Sequence, residues 1–133
     1  LSAGRNAAGP PRSIPVIVIT LLCAASMLVF GVWAFFAPVS FIEYVNYAPY
    51  NEHLTHDAGA FQIGIGFGLL AALLWNDALG AALIGFVAGS GLHTWSHFTD
   101  RHLGGHGSDV PLLGATTLLG IVALVLVMRR RSA

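Results

Sequence analysis

The chain contains no lysine; all six of its basic side chains are arginine. Charge of either sign is scarce: Asp, Glu, Lys and Arg make up 9% of the 133 residues. A water-soluble domain carries about 25% charged residues, so too little charge remains here to cover a water-facing surface. The formal net charge is zero with histidine neutral, which leaves no electrostatic footprint for nucleic acid. Cysteine is nearly absent. The single Cys23 excludes an intrachain disulfide and any metal site built on several thiolates. The residues before it, "ITLL", lack the small residue that a lipoprotein cleavage site needs. A cleaved signal peptide is not expected either, because the first apolar run is too long and Pro38 follows Ala37, where cleavage would otherwise fall. No nucleophile–base–acid arrangement and no phosphate loop stand out. "GIGFG" at 64–68 imitates a dinucleotide fingerprint in letters alone, since it lies inside an apolar run with no strand before it.

What is present is hydrophobicity. Apolar residues make up 56% of the chain, and the mean hydropathy is +0.75. Four continuous runs stand out: Ile14 to Ala37, Ala58 to Trp75, Ala78 to Phe98, and Val110 to Met128. Each is near the ~20 residues that carry a helix across a bilayer core. Continuous rather than alternating apolar character argues against strands. The reading is one all-α domain, an integral membrane four-helix bundle over 14–128, flanked by cytoplasmic tails at 1–13 and 129–133. The second run can begin earlier, at the histidines before it. "WNDAL", with Asn76 and Asp77 at its tip, forces the second and third runs into an antiparallel hairpin. Trp33, Trp75 and Trp95 sit near span ends, as an aromatic belt requires.

Orientation follows from the arginines. Arg5 and Arg12 precede the first run, and Arg129, Arg130 and Arg131 follow the fourth. Four spans place these five on one side, which the positive-inside rule makes cytoplasmic, in an inner (plasma) membrane. The arginine-only basic set, with abundant Ala and Gly, fits a high-GC bacterial genome. The loops at 38–57 and 99–109 then face outward, and every histidine lies at the outer side. In the first of these loops, Phe41, Tyr44, Val45 and Ala48 fall at helical spacing, which suits a short helix lying in the interface between spans one and two.

The second and third runs carry small residues in steps of about one turn: Ala60, Gly64 and Gly68, then Ala78, Ala82, Gly85 and Gly89. Such stripes let membrane helices approach closely. Facing each other along the hairpin, they would bring His53 and Asp57 to His93, His97 and Asp100 at the outer end of one seam. His-x-x-x-His puts two imidazoles on one helix face. With Asp57, Asp100, His53 and His56 nearby, the set suits a divalent transition metal (Zn, Cu(II) or non-haem Fe). Met27 and Met128 are not placed for Cu(I), and haem between two histidines is the lesser cofactor expectation. Gln62 and Ser96 could support the cluster. The plain readings are also open: Asp57 as the N-cap of the second span, Asp100 and Arg101 as surface charges, and histidines that only hydrogen-bond at the rim. In "RHLGGHGSDVP" the glycines turn the chain, with Asp109 and Pro111 opening the fourth span; alternatively His106 folds back as a further ligand.

Four short spans, an apolar outer loop after the first, and Gly-rich second and third spans together resemble the DoxX-like small four-helix membrane proteins of bacteria. The resemblance covers the layout of residues 14–128. It implies the same bundle and, through some members, quinone or thiol redox chemistry; Cys23 alone offers no dithiol. The functional expectation is a membrane metal-binding or accessory subunit, ranked above a stand-alone enzyme. The alternatives are a structural subunit of a larger membrane complex without metal, or a small membrane oxidoreductase. The expected partners are lipid and other membrane subunits, with no nucleic acid.

Overall fold

A computed structural model describes residues 12–75 and 77–131, and shows an all-α chain of five helices. These are α1 (Ile14–Phe36), α2 (Pro38–Val45), α3 (Glu52–Ala72), α4 (Leu79–Thr99) and α5 (Asp109–Arg131). The calls on Arg5, Asn76 and the outermost tails fall outside the described residues. Local chemistry explains the boundaries. Pro15 sits in the first turn of α1, where its missing N–H costs nothing. Pro38 opens α2 directly after the single-residue break at Ala37. Asn51 caps α3, its side-chain oxygen accepting from the Leu54 N–H at 3.0 Å. Asp57, five residues inside that helix, is therefore not its N-cap. The second helix begins at the histidines, as the longer reading of the run allows.

The short helix expected between the first two runs is present as α2 and is fastened to α1 by one aromatic residue. The Trp33 ring meets Phe41 edge-on at 5.7 Å and Tyr44 at 4.9 Å, and its indole N–H donates to Ser40 Oγ at 2.8 Å. Ala48, expected on the same face, lies beyond the helix end.

Pairing of the long helices departs from the sequence expectation. α3 lies antiparallel along α1, α4 lies antiparallel along α5, and α1 and α5 join the two pairs. α3 and α4 meet only lightly. The expected Gly64/Gly68 to Gly85/Gly89 seam is absent: a Cβ added at any of the four meets nothing within 4 Å. The glycines that matter for packing are others. A Cβ at Gly59 would fall 2.7 Å from the Phe35 nitrogen and 2.8 Å from the Gly31 oxygen, so α1 and α3 touch backbone to backbone there. Gly120 of α5 similarly makes room for the buried Phe86 ring of α4.

The apolar core gathers Val16, Cys23, Ala24, Leu69, Ala72, Leu79, Leu83, Phe86 and Ala123, toward the end where α1 begins. There the Arg12 guanidinium donates to the carbonyls of Ala72, Leu73 and Trp75, closing the C-terminal turn of α3. Ala72 is the last residue of α3 and Leu73 and Trp75 follow it, and a cation suits the negative end of the helix dipole. Much of the remaining apolar surface faces outward: Phe61, Phe67, Leu92, Leu112 and Leu118 are all more than half exposed. α1 and α5 are long and apolar enough to cross a membrane.

Candidate functional site

The antiparallel packing puts the start of α3, the end of α4 and the start of α5 at one end of the bundle, so all six histidines cluster there, away from Arg12, Arg129 and Arg130. This end is closed by a clasp between the two loops. Tyr47 and Gly104 form an isolated antiparallel bridge, and the Gly105 N–H donates to the Asn46 carbonyl at 3.0 Å. Gly104 and Gly105 have φ of +144° and +84°, conformations an L side chain rarely adopts, and a Cβ on Gly104 would run into the Asn46 carbonyl. The turn reading of "GGHG" holds for this reason. His106 also folds back: its Nε2–H donates to the Tyr44 carbonyl at the end of α2, 2.6 Å away.

Beneath the clasp stands a polar group built from both loops and α4. His97 Nδ1 lies 3.3 Å from the Tyr47 hydroxyl and 3.5 Å from Asp109 Oδ2. The Asp109 carboxylate also accepts from the His106 backbone N–H at 2.7 Å. The His93 ring meets His97 edge-on, with centroids 4.7 Å apart. Burial, followed by the negative charges of Asp109 and Asp100, raises the pKa of Tyr47 above the ordinary tyrosine value, so its hydroxyl stays protonated and able to donate. Tyr47, His97, Phe98, Arg101, Gly105, Asp109 and Val110 line a cavity of about 410 Å³ with the glycine loop.

The α4–α5 seam below this group is polar. Thr94 and Thr117 hydroxyls lie 3.2 Å apart, and Thr117 donates to Ser90 Oγ at 3.2 Å. The column of hydroxyls ends at Phe86 against Gly120.

Of the sequence-expected ligands, His93 and His97 are together. His53 and Asp57 are 3.5 Å apart on the exposed face of α3. His56 is placed against the Phe35 ring at 5.3 Å. Asp100 caps the end of α4 and accepts from the Thr99 hydroxyl at 3.3 Å. The expected convergence of these six rested on the α3–α4 seam and does not occur; among the described residues, no three His, Cys, Asp or Glu side chains gather as a metal cage. Two residues were missed. Asp109 read as a helix start, which it is, but its carboxylate also faces His97. Tyr47 carried no signal beyond its place in an aromatic loop. No protein-family model, curated protein or solved structure matches this chain.

Proposed function

We propose that the chain is a four-span membrane protein of the bacterial plasma membrane, serving as a small metal-binding or accessory subunit with its site at the outer end. α3 and α4 have 21 residues each. At 1.5 Å per residue each reaches about 31 Å, the thickness of a bilayer core, alongside α1 and α5. The outward-facing apolar side chains are the natural complement of lipid, and both arginine-rich ends of the chain would face the cytoplasm. The layout shared with DoxX-like proteins belongs to the same reading.

The observation that carries the site is His97 held between Asp109 and His93. A carboxylate beside Nδ1 favours the tautomer that leaves Nε2 as the electron-pair donor, the usual arrangement behind a metal-bound histidine. His93, one turn away, supplies the second donor. Two imidazoles with open positions suit Zn, Cu(II) or non-haem Fe. A subunit without metal is the second reading, favoured by the lack of a third protein donor among the described residues.

Native purification with metal analysis tests the site. The expected result is a stoichiometric divalent metal that is lost in the His93→Ala/His97→Ala variant and released by acid, because a protonated imidazole does not ligate. Asp109→Asn is expected to weaken binding by roughly 10–100-fold, and Asp57→Asn to leave it unchanged. Metal-free protein, or metal retained by the double variant, decides for the second reading. Reporters fused after Met128 and inserted at Gly107 are expected on opposite sides of the membrane.

A further inference from the structure

The cavity under the clasp has walls of opposite charge. Arg101 lines it, with its guanidinium 5.1 Å above the Phe98 ring, and Asp109 lines it from the start of α5. Among the described residues the two form no ion pair with each other; Asp109 is engaged by His97 and the His106 N–H, and Arg101 by an aromatic face. The two opposite charges therefore line one cavity without pairing with each other. Phe98 and Val110 make part of the wall apolar.

We propose that this cavity binds a zwitterion bearing a primary ammonium and a phosphate, the ammonium on Asp109 and the phosphate on Arg101. A carboxylate offers about four lone-pair sites, so Asp109 can take an ammonium while keeping the His106 N–H. A guanidinium presents a donor fork that matches phosphate oxygens. The Tyr47 hydroxyl is a further donor at the Asp109 side of the cavity: a Cβ added at Gly105 would meet Asp109 Oδ2 at 2.8 Å and the Tyr47 hydroxyl at 3.0 Å. The chemistry is that of phosphoethanolamine, as a lipid headgroup or as the free compound. The lipid source rests on the membrane-spanning reading above, which places the cavity where the α4 and α5 spans meet water. The free source does not rest on it.

The test uses the full chain in detergent with a chelator present, so that its outcome is independent of the metal site. Short-chain phosphatidylethanolamine, phosphatidylcholine and phosphatidylglycerol, and free phosphoethanolamine, are titrated separately by native mass spectrometry and calorimetry. The ethanolamine lipid is expected to bind about tenfold more tightly than the choline lipid, whose quaternary ammonium cannot donate a hydrogen bond, and than the glycerol lipid, which has no ammonium. Asp109→Asn is expected to erase that preference. Arg101→Gln is expected to weaken binding of all three lipids, and Arg101→Lys to retain most of it. Free phosphoethanolamine binding as tightly as the lipid upholds the site with a soluble ligand; binding of the lipid alone upholds it with a headgroup. Equal affinity of the native protein for ethanolamine and glycerol lipids overturns the proposal. So does an ethanolamine preference that survives Asp109→Asn, or lipid affinity unchanged in Arg101→Gln. If Asp109→Asn fails to fold, the lipid discrimination of the native chain decides.

Discussion

The two helix pairs of this bundle are held together by opposite means. Along α1–α3, the backbones touch: Gly31, Gly59 and Gly66 leave no space for a Cβ, which would meet Phe35, Gln62 or Leu28 at 3.0 Å or less. Along α4–α5, the contact is made by side chains, with Ser90, Thr94 and Thr117 hydroxyls linked in the half nearer the histidines and Phe86 filling the other half. The first pair is a steric fit that tolerates no added atom. The second keeps its polar groups satisfied across the seam, and its histidine end opens into the His97–Asp109–Tyr47 group. Close backbone packing and a cluster of polar side chains make incompatible demands, and here they are met by different pairs.

The sharpest way to break this comparison is to add a methyl group. Gly59→Ala is expected to cost about 2–3 kcal/mol, because the clash is with backbone that cannot rotate away. Gly68→Ala meets nothing and is expected to gain up to about 1 kcal/mol from helix propensity. Thermal and denaturant unfolding in detergent measures both; equal effects of the two substitutions would show that the seams are wrongly assigned.

A smaller effect tests the polar seam. Thr117→Val removes the links to Ser90 and Thr94 and is expected to cost about 0.5–1.5 kcal/mol, the net range for an intramolecular hydrogen bond. Thr116, whose hydroxyl donates only to the Leu112 carbonyl of its own helix, serves as the control. Thr116→Val is expected to be near neutral in the same unfolding assay.

The smallest effect concerns the clasp. Because the folded-state pKa of Tyr47 is raised, the folded chain keeps this proton at pH values where the unfolded chain loses it. Stability from this group is full below the ordinary tyrosine value, about 10, and declines as pH rises through the folded value. Unfolding measured from pH 8 to pH 11 is expected to show that decline, and Tyr47→Phe to flatten it. A decline of equal size in Tyr47→Phe would assign it to other groups.

Much of this molecule is written in local pattern. Four runs of apolar residues predict four long helices, and Pro15, Pro38, Asn51 and Asp109 mark where helices start. The spacing of Phe41 and Tyr44 predicts the short helix that Trp33 anchors. Helix boundaries are set by residues close together in the chain, so the sequence pattern alone marks them; the histidines gather at one end once those helices pack antiparallel. Which helix lies against which was decided only in three dimensions. Gly64, Gly68, Gly85 and Gly89 follow the same small-residue spacing as a packing stripe yet face open space, while Gly59 and Gly66 do the packing. A glycine permits close approach without specifying a partner; the partner is chosen by the fit of the whole face, including Arg12 on the end of α3 and Phe86 on Gly120. His93 and His97 were legible as a pair because one helical turn separates them. Asp109 and Tyr47 were not, because they reach His97 only after α5 folds back along α4 and the two loops close on each other.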